Sequence, residues 1–310
     1  MADGETRLGP LVLKPGDGPR IMAIINASPE SFFAGSVAAG RDAVRAAASL
    51  ATEAGADILD IGAMSTAPYK ETHVSPAEEE ERMAEAVAAA REATDLPISA
   101  DTQRANVARA AIEAGACIVN DVMGFAGDED MAAVVDETGA GCVLMANENA
   151  LANPEAEDPR DVLELCEALL REALARAEES GIPRERIVLD PGVGFFRRRA
   201  EVWARTHEPP LGRPKGFFSR GYPYWAQYDL ALLRGVGELG RRMGYPMLVS
   251  ASRKSMFKAL LGQQDPADRL AGSLAVAAWC AAQGVAIVRT HDVAETCDVV
   301  RMWRLLGNGA

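Results

Sequence analysis

Cysteine is scarce in this sequence. The five cysteines in 310 residues stand at 117, 142, 166, 280 and 297, an odd number with no CxxC spacing. That pattern gives no disulfide framework, and a reduced, cytoplasmic chain is the simplest account of it. Basic charge is also short. Lys and Arg number 32 against 45 Asp and Glu, a formal net charge of -13, which argues against a nucleic-acid partner because phosphate backbones select basic faces. The amino-terminal MADGETRLGP has no apolar core segment, so no signal peptide is expected. A single long apolar run, Leu270 to Val288, approaches the length of a membrane span. Gln283 and Gly284 break it, and it reads as a buried helix, a turn and a buried strand, so no membrane partner is expected. No G-x-G-x-x-G follows the first apolar run, which counts against an open dinucleotide-binding sheet. No Ser-His-Asp or Cys-His arrangement is evident either.

What is present is a repeat of short apolar runs and helical stretches. The runs are IMAIIN (21–26), DILDIG (57–62), PISAD (97–101), CIVND (117–121), GCVLMA (141–146), RIVLD (186–190), PMLVS (246–250) and AIVRT (286–290). Helical segments are expected near 40–54, 76–93, 104–114, 128–138, 160–180, 227–243, 268–283 and 292–305. Continuous apolar runs suit strands buried on both faces, and their alternation with helices implies a parallel sheet. EAGAD, EAGAC, ETGAG and AQGVA recur at helix ends, each placing a glycine as C-cap before the next strand. Eight such units predict an α/β protein of the (β/α)8 TIM-barrel class. We expect an N-terminal extension over 1–19 and one barrel domain over 20–310, with a long loop inserted after the sixth strand at 196–226.

In a barrel of this class the site lies at the carboxyl ends of the strands. Those ends are polar here: Asn26, the GAMSTAP segment, Asp101, Asn120, Met145 with Asn147, Asp190, the SASRKS segment, and Arg289 with His291. Singly, each has a structural reading. Asp101 could cap the next helix, Asn120 could tie down a loop, Asp292 after His291 could cap the last helix, and Ser252 and Ser255 could cap a helix at 256–261. Jointly they ring one cavity. Asp101, Asn120 and Asp190 offer acceptors and donors to the edge of a flat heterocycle. Lys254 and Arg289 offer donors to a carbonyl or a phosphate. The set asks for a planar, amide-like ligand with an anionic appendage.

The segments IMAIINASPESF, GADILDIGAMSTAPY, PISADTQRANVARAAIEAGACIVNDVMG, IVLDPGVGF, PMLVSASRKS and RLAGSLAVAAWCAAQGVAIVRTHDVAET resemble those of the dihydropteroate synthase family, in the same order, from about residue 20 to 305 apart from 196–226. The resemblance implies a transferase that condenses 6-hydroxymethyl-7,8-dihydropterin diphosphate with an arylamine and releases diphosphate. It implies that Asp101, Asn120 and Asp190 grip the pterin, that Met145 forms an apolar wall and that Lys254 reaches the pterin. It assigns Arg289, His291 and Asn26 to the diphosphate, with Asn26 also near a Mg2+ ion. It assigns Ser65 and Thr66 to the second loop, Ser255 to the acceptor side and Arg253 to support of its loop. A homodimer is expected on the same ground. Two other functions compatible with such a barrel are a pterin-dependent corrinoid methyltransferase and a non-catalytic pterin-binding protein.

The sequence departs from the family in three places. Ala34 stands where the first loop usually has an Asp. Met64 and Ala67 stand where the second loop usually has a Glu and an Arg. The sixth loop, usually short with a Lys after Gly-Phe, carries the insertion. From Pro191 to Ala226 there are seven cations against two acids, in an otherwise acidic chain. Arg197, Arg198 and Arg199 open it and are candidates for a lid that binds a phosphate on the acceptor. The first two loops resemble an archaeal-type branch tied to methanopterin-like cofactors, whose acceptor would be a ribofuranosyl-aminobenzene phosphate in place of p-aminobenzoate.

Overall fold

The computed structural model describes residues 5–28, 38, 40–64, 74–151, 161–198 and 222–307. All eight apolar runs form strands. After a hairpin of β1 (Thr6–Leu8) and β2 (Leu11–Leu13) come β3 (Arg20–Asn26), β4 (Ile58–Gly62), β5 (Ile98–Asp101), β6 (Ile118–Asp121), β7 (Gly141–Met145), β8 (Ile187–Asp190), β9 (Leu248–Ser250) and β10 (Ile287–Thr290). The last eight pair in parallel in the order β8-β7-β6-β5-β4-β3-β10-β9. A parallel bridge between Leu189 and Met247 joins the two outer strands, with the Leu189 amide donating to the Pro246 carbonyl at 3.0 Å, and so closes the ring. The expected barrel is the observed one.

Around it run α1 (Arg41–Glu53), α2 (Pro76–Arg91), α3 (Ala105–Glu113), α4 (Met131–Thr138), α5 (Val162–Glu179), α6 (Tyr224–Met243), α7 (Met256–Leu261), α8 (Leu270–Ala282) and α9 (Val293–Gly307). Local chemistry sets their ends. Ser75 caps α2 by accepting from the Glu78 amide, with Pro76 in the first turn, and Asp161 and Glu164 form a reciprocal capping box on α5. The four recurring glycines leave their helices in the left-handed region, at φ 94° for Gly55, 117° for Gly115, 71° for Gly139 and 75° for Gly284. Gly284 thereby separates α8 from β10, and among the described residues no helix is long and apolar enough to cross a membrane.

Two boundaries differ from expectation. α6 starts at Tyr224, inside the segment expected to be loop, because Pro223 sits extended at its N-cap and Ala226 and Tyr228 are buried against the barrel. Most of the remaining insertion lies outside the described residues. The N-terminal extension carries the β1–β2 hairpin. Leu8 and Leu13 of the hairpin join Met22, Ile58, Ile118, Val143, Val188, Leu248 and Ile287 in one buried cluster, with a residue from each of seven barrel strands. The hairpin therefore plugs the amino-terminal end of the barrel. Each such side chain removed from water contributes about 1.5–3 kcal/mol.

The pleat explains what lies above that plug. Successive residues of a strand face opposite sides, so residues two apart share a side. Two residues along five of these strands from the apolar layer, the inward residue becomes polar: Ile58 gives way to Asp60, Ile118 to Asn120, Val188 to Asp190, Leu248 to Ser250 and Ile287 to Arg289.

Candidate functional site

Strand register brings the predicted residues to one level. Asp101 pairs with Asn120, Met145 with Asp190, and Ser250 with Arg289 across neighbouring strands. Gly62 pairs with Asp101 and presents no side chain. Asp101, Asn120, Met145 and Asp190 are all buried there, and Arg289 and Lys254 close the opposite arc.

The centre of the layer is an ionic network in which one member is absent from the sequence reading. Arg289 donates from Nε to Asp60 Oδ2 at 2.6 Å and from Nη2 to Asp101 Oδ2 at 2.7 Å. Asn120 donates from Nδ2 to Asp60 Oδ2 at 3.2 Å. Asp60 is fully buried in mid-strand β4. Its mid-strand position, one step below the polar strand ends, gave no signal beyond an acid inside an apolar run. Asp101 therefore does not cap α3. That role falls to Asp128, which accepts from the Ala105 amide at 2.8 Å. One oxygen each of Asp60 and Asp101 is buried without a hydrogen-bond partner among the described residues. A buried carboxylate oxygen in that state is costly unless a donor arrives. Burial raises the Asp101 pKa from 3.8 to about 7, with Arg289 opposing and Asp60, Asp121 and Glu79 adding to the rise. Asp190 rises to about 6 for the same leading reason, opposed by Lys254.

The loop after β9 aims Lys254. Arg253 adopts φ 54°, a conformation rarely used outside glycine, and is held there from every side. Its amide donates to Ser273 Oγ at 2.9 Å, and its carbonyl accepts from Arg269 at 2.9 Å. Its guanidinium pairs with both carboxylate oxygens of Asp292 and donates to the carbonyls of Pro266 and Ala267. Asp292 thus serves Arg253, and Ser252 accepts from the His291 amide at 3.1 Å. Neither Ser252 nor Ser255 makes a side-chain cap on α7. With Arg253 turned away, Lys254 faces the mouth. Its ammonium donates to the Val193 carbonyl and sits 4.9 Å from the Phe195 ring centroid. Burial lowers its pKa from 10.5 to about 8, opposed by Asp190 and Asp229.

His291 has its Nδ1 3.0 Å from Ser252 Oγ. Burial, then the charges of Arg289, Arg253 and Lys254, lower its pKa to about 3, so it is a neutral donor or acceptor at pH 7 and not a cation. Asn26 ends β3, half-buried at the mouth, and its carbonyl accepts from the Ala38 amide at 2.8 Å. Of the three arginines, Arg197 has its Cζ over the Trp225 ring, 3.8 Å from the centroid, and donates to Ser255 Oγ at 2.8 Å. Arg198 is exposed, and both their amides donate to the buried carboxylate of Glu148. Arg199, Ser65 and Thr66 lie outside the described residues, as do Ala34 and Ala67.

A closed parallel barrel with buried acids, an amide and two cations at its mouth is the fold and polar layer of this chain, and the comparisons give its class, that of a pterin-binding enzyme. The sequence profile of the pterin binding enzyme family matches residues 22–206 and 224–291. The chain is 35% identical over 292 residues to a dihydropteroate synthase of Synechocystis, covering 92% of this chain and 90% of that protein. Among solved structures, the dihydropteroate synthase of Xanthomonas albilineans with 4-aminobenzoic acid superposes with a TM-score of 0.78 at 29% identity, covering 99% of this chain and 100% of that one. The same enzyme in complex with 7,8-dihydropteroate gives 0.75 at 27%, with the same coverage of each chain. The chain belongs to the dihydropteroate synthase family, and its class is that of a transferase.

Proposed function

We propose that this chain joins 6-hydroxymethyl-7,8-dihydropterin diphosphate to p-aminobenzoate, releasing diphosphate, in folate synthesis. The observation that carries this reading is the single inward layer of Asp101, Asn120 and Asp190 facing Lys254 and Arg289, with an Asp101 oxygen that has no donor among the described residues. A pterin edge supplies N–H donors to such acceptors, and Met145 offers it an apolar wall. Lys254 donates to the ring. Arg289, His291 and Asn26 take the diphosphate, and Ser255 faces the acceptor.

The arylamine nitrogen attacks the pterin methylene carbon, and the C–O bond to diphosphate breaks with its electron pair leaving on oxygen. The proton of the new ammonium goes to water. An arylamine is neutral at pH 7, so the residues need only orient the reactants and stabilise the departing anion. Among the described residues no cluster of three His, Cys, Asp or Glu could hold a metal ion. A single amide oxygen, that of Asn26, suits a Mg2+ ion carried chiefly by diphosphate oxygens, where it would neutralise charge on the leaving group.

A second acceptor, a phosphorylated ribosyl arylamine, is favoured by the basic insertion, with Arg197, Arg198 and Arg199 as its phosphate ligands. A homodimer through α8 and α9 is favoured by the exposed Trp279, Met302, Leu305 and Leu306. Diphosphate release with each arylamine tests the reading. Release with p-aminobenzoate is expected, and Lys254→Ala should lower turnover by about 10²–10³-fold with the fold intact. Absence of release with either arylamine would refute the transferase reading.

A further inference from the structure

One buried acid near the site has no role in the chemistry above. Asp229 lies in the second turn of α6 and is 1% exposed. Its Oδ1 accepts from the Gly194 amide at 2.7 Å, while its Oδ2 is buried without a hydrogen-bond partner among the described residues. The same peptide unit carries the Val193 carbonyl, which accepts from the Lys254 ammonium. A trans peptide points its N–H and C=O in opposite directions. Fixing the amide from the helix side therefore turns the carbonyl toward Lys254. Gly194 makes the approach possible: it sits at φ 90°, and a Cβ there would lie 3.3 Å from Lys254 Cδ and 3.4 Å from Nζ.

We propose that Asp229 is a positioning residue for Lys254, fixing the Val193–Gly194 peptide on which the ammonium rests and supplying negative charge behind it. This deepens the pterin reading, because Lys254 is the cation that reading aims at the ring. The groups facing Lys254 are Asp190 from β8, Asp229 from α6, Arg289 from β10 and Arg197 from the sixth loop. Two of the four are acids, and the two cations work against the protonated amine. Asp190 is the acid that a ligand would engage. Burial raises the Asp229 pKa, opposed by Arg197 and Lys254 and by the Gly194 amide, and its place behind the peptide leaves its carboxylate facing Lys254 when the mouth is filled.

The test titrates Lys254 directly, by the pH dependence of its acetylation rate read by site-resolved mass spectrometry. Lys254 is half-buried at the mouth. In the unaltered protein the midpoint is expected near 8, where the enclosed amine sits. Asp229→Asn keeps an oxygen for the Gly194 amide and removes the charge, so the midpoint should fall by half a pH unit or more. Asp229→Ser, which is smaller and also uncharged, should do the same, and Asp229→Glu should restore most of the shift. A midpoint unchanged in both neutral variants would overturn the proposal. Calorimetry with 6-hydroxymethylpterin separates this from the wider reading. If the unaltered protein does not bind the pterin, the functional reading fails while the Lys254 titration still decides the role of Asp229. If it binds, the neutral variants should bind more weakly at pH 8, by about twofold or more, as the protonated fraction of Lys254 falls, and equal affinity would also overturn the proposal.

Discussion

Replacing Asp60 by alanine probes the part of the site that strand alternation hides. Asp60 is fully buried and pairs with Arg289 at 2.6 Å while accepting from Asn120 at 3.2 Å. Deleting one partner of a buried pair generally costs about 3–5 kcal/mol, because a charge is left uncompensated. Asp101 still faces Arg289 here, at 2.7 Å, which places the loss at the low end. The Asn120 amide loses an acceptor, worth about 1 kcal/mol. Relief of the repulsion between Asp60 and Asp101 offsets a similar amount. The net expectation is about 3 kcal/mol, which in a domain of this size lowers the melting temperature by about 6 °C. Thermal melts of Asp60→Ala, Arg289→Met and the double variant form a cycle, and the double variant should be more stable than the two single losses added together, by about 2 kcal/mol. A melt for Asp60→Ala within about 1 °C of the unaltered protein, or a cycle that closes to zero, would refute the view that Asp60 anchors Arg289.

Three further outcomes follow from the same geometry. Pterin affinity should peak narrowly with pH: ring N–H donors need Asp101 and Asp190 ionised, and these titrate near 7 and 6, whereas Lys254 must be protonated and titrates near 8. Calorimetry from pH 5.5 to 9.5 should show binding weaken on both sides, and a flat profile would contradict those assignments. Leu8→Ala should cost about 2–5 kcal/mol in urea unfolding, because Leu8 is fully buried in the barrel plug. A loss no larger than an exposed leucine gives would mean that the hairpin is not part of the core. Gly192→Ala should abolish pterin binding or folding, because Gly192 lies at φ 72° and a Cβ there would collide with the Ala146 carbonyl; an unaffected variant would refute the close approach of the turn after β8 to β7.

Much of this was legible in the sequence, for identifiable reasons. The barrel strands are buried on both faces, so they read as unbroken apolar runs. The helix ends carry glycines whose left-handed backbone marks each return to the sheet. The polar strand ends were visible because polarity after an apolar run is conspicuous. Asp60 was not visible, because an acid inside a run looks like an interruption and only the register with β5 shows that it points inward beneath Asp101. Asp229 was hidden for the complementary reason: at helical spacing, an acid among apolar residues passes for a solvated position, and its partner Gly194 is thirty-five residues away in sequence. The hairpin was missed because two three-residue strands bounded by Gly9, Pro10 and Pro15 give too little alternation to read. The roles expected of Ser252 and Asp292 as helix caps gave way to a tertiary demand, the restraint of Arg253 in a conformation that the local sequence does not favour.

The two layers inside the barrel divide the work between stability and chemistry, one pleat step apart. Below, nine apolar side chains from the hairpin and seven strands form a dry plug. That plug excludes water from the floor of the cup, and the exclusion gives the layer above its character. Carboxylates held there are pushed toward neutrality, and the lysine is pushed the same way. Each therefore gains from a partner of the opposite kind. Arg289 supplies one such partner to Asp60 and Asp101 at once, but one oxygen of each acid still has no donor among the described residues. A ring that brings N–H groups to one side of this cup and an anion to the other satisfies both needs together. The instability of the polar layer is therefore a source of ligand affinity, and the plug beneath it and the restraints on Arg253 let the fold carry it.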